Sequence, residues 1–372
     1  MNDKLVVLVT GVAGYWGSKV AARLIAENER LALSEVEGQV DYHIIGMDSD
    51  APEEPIKGLD FIQADVRNPL FIELLRSEQV QMVCHLAFME NIRPSEATFD
   101  LNVIGTMKVL GACAEAGVQK VVMRSSTMIY GANPSNPAFL TERHPFQRNR
   151  SYGSTLHWTE IESFCNGFRR QVPELILTIL RFPNIVGPTV DSAMSRLLRQ
   201  NPVPVLMGFD PLMQVIHEND VVEALLFSIL NDVPGVFNVA AEGVLPLTKI
   251  IGQVGRFPLP IFHLFAYWGA SLRSVTGLNP ERHFPIELDY LRYPCVADLG
   301  LMHSEMGFLP TYTADEALRE FAGQLRLSRY KTESPDLSYD EERLRDTLER
   351  RRRIREKQIG RAAESKGGND AE

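Results

Sequence analysis

Cysteine is scarce in this chain: four residues in 372, Cys84, Cys113, Cys165 and Cys295. They are scattered beside apolar neighbours without metal-like spacing. This predicts buried free thiols in a reducing compartment rather than a disulfide frame or a metal site. Long apolar runs are missing too. No stretch reaches the ~20 residues that cross a bilayer, and no basic and apolar leader precedes the first strand, so the expected location is cytoplasmic. Positive charge is not in excess either. The formal net charge is −10, which argues against a nucleic-acid partner. What remains is 45% apolar and 23% charged residues, an ordinary globular composition. The length suits a large α/β unit with an attached lobe.

Residues 4–17 read KLVVLVTGVAGYWG. Leu5–Val9 has the length and β-branching of a buried strand. Gly11, Gly14 and Gly17 follow at G-x-x-G-x-x-G spacing, before an apolar-periodic helix. Such glycines let the backbone turn tightly and approach a pyrophosphate, with the N–H groups of the helix start facing the anion. Strand patterns then recur at 5–9, 42–47, 60–63, 80–86, 119–124 and 174–181, and helical patterns at 15–27, 69–77, 95–116 and 152–171. This alternation predicts a parallel sheet covered by helices on both faces. Asn28–Asp41 reads as a surface insertion. The expected division is a dinucleotide-binding domain at 1–182 with 212–242, a smaller lobe at 183–211 with 243–328, and a charged helical tail at 329–372. In it, MQVIHEN and GVFNVAA return to the main sheet.

The glycine motif TGVAGYWG, ADVRN at 64–68, HLAF at 85–88, Asn102, RSSTMIYG at 124–131, Tyr152, LRFPNIVGP at 180–188 and IHENDVVEAL at 216–225 follow in order. Over roughly residues 4–325 the chain resembles the extended, here atypical, short-chain dehydrogenase/reductases of NAD-dependent epimerase/dehydratase type. The resemblance implies a Rossmann-type doubly wound parallel sheet with a discontinuous C-terminal substrate lobe. It also implies that NAD is held by Gly11, Gly14, Tyr15, Trp16, Gly17, Asp48, Asp65, Val66, Leu86, Ala87, Asn102, Tyr152 and Pro183. Asp48 closes the second strand, where a carboxylate accepts ribose hydroxyls and repels a 2′-phosphate.

Catalysis in this family resembles a Ser/Thr, Tyr and Lys arrangement. The register places Ser126 on the reacting oxygen, with Thr127 beside it, and Tyr152 as the group that moves the proton. The lysine belongs four residues on, one helical turn away. That position is Leu156, in YGSTLHW. A phenol titrating near ~10 is then left without its cation. Two readings stay open. Tyr152 works at reduced efficiency or with His157 standing in for the lysine, or the chain is a catalytically silent NAD-binding regulator or assembly protein.

On the substrate side, Asn184 matches the family asparagine at the substrate phosphate. The arginine that sugar-nucleotide members carry nearby is replaced by Leu212, Met213 and Gln214, leaving Arg196, Arg199 or Arg292 to compensate. The expected substrate is a nucleotide sugar or a hydroxylated lipid-like molecule. FPLPIFHLFAYWGASL at 257–272 reads either as a buried lobe helix or as an apolar wall or membrane-resting surface. The charged tail reads as a solvated helix or as a partner or anionic-surface contact. Helices 95–116 and 152–171 suggest a homodimer, with Met107, Leu110, Cys113 and Phe164 facing outward or toward the sheet.

Overall fold

The computed structural model describes residues 4–32, 41–90, 95–146, 153–264 and 284–333, with the isolated positions 345 and 348. The chain divides into two compact units, Met1–Phe321 and Ala322–Glu372. The first begins with β1 (Leu5–Thr10), α1 (Tyr15–Ala32), β2 (Tyr42–Asp48), β3 (Asp60–Gln63), α2 (Phe71–Ser77) and β4 (Met82–His85). Next come α3 (Glu96–Phe99), a π-helical turn (Asp100–Ile104), α4 (Gly105–Ala116), β5 (Lys120–Ser126), a 3-10 turn (Thr127–Tyr130), α5 (Gly153–Gln171) and β6 (Ile176–Phe182). The later elements are β7 (Asn184–Val186), α6 (Ala193–Arg199), β8 (Val203–Leu206), β9 (Leu212–Met213), β10 (Val215–His217) and α7 (Glu218–Leu230). β11 (Gly235–Asn238), β12 (Leu245–Pro246), α8 (Leu247–Gln253), β13 (Pro258–Ile261), a 3-10 turn (Leu288–Leu291), a π-helical turn (Met302–Met306) and α9 (Ala314–Glu333), which runs into the second unit, complete the described elements.

Seven parallel strands form the main sheet in the order β11-β6-β5-β4-β1-β2-β3. The chain leaves β1 toward β2 and β3, then returns to place β4 on the other side of β1. This reversal opens a crevice at the carboxyl ends of β1 and β4. Strand alternation separates two cores. Val6, Leu8, Val83 and Val121 pack with Phe71, Leu75, Leu110, Cys113 and Ile161 on one face. Val7, Val9, Cys84 and Val122 pack with Val20, Leu24, Val221 and Leu225 on the other. Doubly wound architecture follows from that two-sided apolar pattern.

Several expectations are corrected. Asn28–Ala32 continues α1, and the Asn28 amide ties the helix to the Tyr42 backbone at 2.9 and 3.0 Å. MQVIHEN does not enter the main sheet. The outer edge of β6 is taken by β11, and the chain turns away at Pro183, so β10 pairs with β7 instead. Proline brings no N–H to continue a ladder there. Pro258–Ile261 is a strand paired with β8 rather than part of a helix, and Phe257, Leu259, Phe262 and Leu264 are exposed. The rest of that apolar segment, 265–272, lies outside the described residues, as does the charged run 340–357 apart from 345 and 348. Leu110 and Cys113 face the core, which leaves Met107 and Phe164 half-buried. Cys84, Cys113 and Cys165 are buried as expected, whereas Cys295 is half-buried. No described helix is long and apolar enough to cross a membrane.

Candidate active site at the carboxyl edge of the sheet

Close packing fixes the glycine loop. Gly11 has φ +76°, and a Cβ there would lie 2.5 Å from the Ala87 nitrogen and 2.6 Å from Leu86 carbonyl atoms. A Cβ on Gly17 would lie 2.0 Å from the Gly11 carbonyl oxygen. Neither position admits a side chain, because every obstructing atom is backbone. Gly14 is exposed and meets only the Gly11 oxygen, at 3.2 Å. The loop therefore presents bare backbone where α1 begins, a cradle fit for a diphosphate. Tyr15 and Trp16 open α1 and stack edge to face, centroids 4.8 Å apart. The Tyr15 hydroxyl lies 2.8 Å from Thr189 Oγ1, tying this loop to the segment after β7. Asp48 ends β2 and accepts the Ala13 N–H at 2.9 Å. Its carboxylate thus borders the cradle on the side where an adenosine ribose would lie, so these residues fit NAD.

Of the other residues expected at the cofactor, Val66, Leu86 and Pro183 are buried, and Ala87 is half-buried against the core. Both Asp65 oxygens accept from Arg67, at 2.6–2.9 Å, and this pairing holds the carboxyl below its usual range. Asn102 is fully buried in the π-helical turn. Its oxygen accepts Met89 N–H at 2.9 Å, and its amide donates to Met89 O at 2.7 Å and to His157 Nδ1 at 3.0 Å. Asn102 thereby ties the segment after β4 to α5.

A neutral hydrogen-bond chain runs behind it. Thr106 donates to the Asn102 carbonyl at 2.5 Å, His85 Nε2 lies 3.0 Å from Thr106 Oγ1, and His85 Nδ1 lies 2.7 Å from Thr10 Oγ1. Burial pushes the His85 pKa down to about 4 and lowers that of His157 as well. Burial works against a charged His157, the opposite of what a stand-in for the lysine needs. Phe88 and Phe99 pack edge-on to its ring.

Ser126 is the last residue of β5. Its hydroxyl accepts the Met128 N–H at 3.2 Å, which leaves the hydroxyl proton available to a ligand oxygen. Behind it, Arg181 forks onto Glu162 at 2.5–3.1 Å with both side chains buried. Ser125 Oγ donates to the same carboxylate at 2.5 Å, and Arg181 donates to the Tyr130 hydroxyl at 2.6 Å. This cluster sets the end of β5 and the turn carrying Thr127, which is itself buried. Tyr152 lies outside the described residues. Leu156 lies on α5 and is half-buried.

On the lobe side, the Asn184 amide donates to Gln214 O at 3.0 Å. Gln214, where an arginine clamp was expected to be lost, binds both backbone groups of Ala297, at 2.8 and 2.9 Å. It is a structural staple. Arg196 and Arg199 pair with Asp191. Arg292 has no carboxylate partner among the described residues and lies 4.8 Å from the Phe209 ring centroid and 4.9 Å from that of Tyr293. Nearby, the Tyr290 hydroxyl donates to Met128 O at 2.5 Å and the Cys295 thiol lies 3.5 Å from Thr127 O. These contacts seat the Arg292 segment against the Ser126–Met128 turn.

Sequence reading missed His85, Thr106, Glu162, Arg181 and the staple role of Gln214. The signal available was a polar residue inside an apolar strand or on the inner face of a helix, since burial demands a partner for it.

A doubly wound parallel sheet with a bare glycine cradle at its topological switch defines a dinucleotide-binding protein of the Rossmann class. The chain belongs to the NAD dependent epimerase/dehydratase family, whose model matches residues 7–240, and NAD is its cofactor. An uncharacterized protein of Mycobacterium tuberculosis is 33% identical over 328 residues, covering 85% of this chain and 83% of the relative. The N-acetyl-alpha-D-glucosaminyl-diphospho-ditrans,octacis-undecaprenol 4-epimerase of Escherichia coli O157:H7 is 23% identical over 86% of this chain and 94% of its own length. Among solved structures, the UDP-glucose 4-epimerase of Thermotoga maritima with UDP-glucose superposes with a TM-score of 0.63 at 20% identity, covering 87% of this chain and 99% of that one. The UDP-glucuronic acid 4-epimerase of Bacillus cereus with UDP-glucuronic acid and NAD gives 0.64 at 17% identity, with the same coverage of both chains.

Proposed function

We propose that this chain is an NAD-dependent epimerase, dehydratase or dehydrogenase acting on a hydroxyl of a sugar carried on a diphosphate. The carrier is a nucleotide or a lipid. The observation that carries the reading is Arg292. Of the three arginines able to replace the lost clamp, it alone has no carboxylate partner among the described residues, and its segment rests on the Ser126–Met128 turn. A guanidinium there suits two phosphate oxygens. Gly11, Gly14, Gly17 and Asp48 hold the NAD, which supplies the hydride acceptor. Ser126 holds the reacting oxygen by a hydrogen bond from its hydroxyl. Tyr152, as the phenolate, takes the proton that this oxygen loses while the hydride leaves from the carbon that bears it to the bound NAD. Leu156 leaves Tyr152 without its usual cation, so turnover is slow. Two copies pair through α4 and α5, which light scattering at micromolar concentration checks.

The test is turnover on a panel of nucleotide-linked and lipid-linked diphosphate sugars. Arg292→Met raises KM about tenfold with kcat near wild type, as loss of uniform binding requires. Tyr152→Phe abolishes turnover. An unchanged KM removes Arg292, and unchanged turnover in Tyr152→Phe removes the mechanism. Intact NAD binding with no turnover on any substrate establishes the silent regulator or assembly protein instead.

A further inference from the structure

Arg124 has no part in the mechanism above, yet it stands on β5 near the carboxyl edge of the sheet. Thr10 of β1 is level with His85 of β4, and His85 with Met123 of β5. Arg124 is one residue past that rung, level with the start of the glycine loop and of the segment after β4. Its side chain is only 9% exposed. On β5 it shares a face with Ser126, two residues on, while Ser125 turns to Glu162 on the other face. The guanidinium carbon lies 5.3 Å from the Trp16 ring centroid and 5.8 Å from that of Trp158. Phe88 stacks on Trp158 at 3.7 Å. Arg124 pairs with the half-exposed Glu90, and the guanidinium holds that carboxyl below its usual range.

A guanidinium buried between two indoles is costly unless its charge is met. Glu90 meets it from solvent, through a side chain that water or another anion can replace. Trp16 directly follows the first residue of α1, so the charge sits beside the loop whose bare backbone receives a diphosphate.

We propose that Arg124 is a further cofactor-binding residue: its guanidinium exchanges Glu90 for the diphosphate of the incoming dinucleotide, and Glu90 is the placeholder that balances it beforehand. The planar fork suits two phosphate oxygens where a lysine would offer only a point charge. The inference rests on the reading of this crevice as the NAD seat.

A purely structural Arg124–Glu90 strap gives the opposite sign for one variant, and this makes the test decisive. Calorimetric titration of the full chain with NAD and with ADP-ribose measures affinity without turnover. Trp16 and Trp158 fluorescence gives a second readout, since they are two of the chain's three tryptophans. Arg124→Gln weakens both ligands about tenfold or more and flattens the salt dependence of binding. Arg124→Lys keeps the charge, folds with the wild type, and binds both ligands between the wild type and Arg124→Gln. Glu90→Gln tightens both ligands severalfold, because no carboxylate has to be displaced. Weaker or equal binding in Glu90→Gln overturns the proposal, as does unchanged affinity in Arg124→Gln. An effect on NAD alone, with ADP-ribose unaffected, overturns the diphosphate assignment. Failure of the wild type to bind either ligand overturns the NAD seat itself.

Discussion

The two flanks of Ser126 are held in place by opposite means. On the β5–β6 side, a charged pair does it: Arg181 and Glu162, both buried, with Ser125 and Tyr130 completing their hydrogen bonds. On the β1–β4 side a neutral chain does it: Thr10, His85, Thr106, Asn102 and His157. The charged cluster is rigid because removing either member leaves an unpaired ion in the core. The neutral chain holds only while its histidines stay unprotonated. One flank is thus sensitive to substitution and the other to pH.

The largest expected effect breaks the charged side. Arg181→Met leaves Glu162 buried with only Ser125 as partner, and destabilisation of about 3–5 kcal/mol follows. Denaturant unfolding measures it. The double variant Arg181→Met/Glu162→Leu recovers much of the loss, since no charge then remains to be stranded. A single-variant cost below ~1 kcal/mol would show that packing, not the ion pair, holds this flank.

Acid breaks the neutral side. His85 has its pKa pushed down from 6.5 to about 4 by burial, so the unfolded chain binds a proton that the folded chain refuses. The stability from keeping His85 neutral is complete above pH 6.5 and is lost as pH falls from there toward 4, on the order of 3 kcal/mol in all. His157 and His217 shift in the same direction. Stability curves of wild type and His85→Gln, compared between pH 7 and 4.5, isolate the contribution. The wild type loses more stability than the variant over that interval, and parallel curves would refute the assignment.

How much of this was readable in the sequence divides along similar lines. The strands from β1 to β6 and the glycine cradle were legible because period and turn chemistry are local signals. Gly11 and Gly17 could be named because the reason for them, backbone against backbone, is written in their spacing. Partner choice was not legible. Nothing in MQVIHEN says that β11 has already taken the edge of β6. Gln214 looked like a lost clamp because its true partner, the Ala297 backbone, lies 83 residues away. Asn102 was marked by the family resemblance alone, and sequence could not say that Met89 and His157 are its partners.

The smallest and most informative change is Leu156→Lys. Leu156 is half-buried on α5, next to His157, whose pKa burial lowers. An ammonium at position 156, four residues after Tyr152 in the sequence, favours the phenolate and lowers the tyrosine pKa by roughly 1–3 units. Turnover rises about tenfold or more near neutral pH, and the limb of the pH–rate profile on which turnover rises with pH moves down by the same interval. The neutral flank then sharpens the result. Since His157 is held by Asn102 and not by Leu156, the exchange leaves the Thr10–His157 chain in place and costs less stability than Arg181→Met. A variant that unfolds more readily and turns over no faster would mean that the new charge lies unpaired in an apolar site, and that Leu156 belongs to a site that binds NAD without using it.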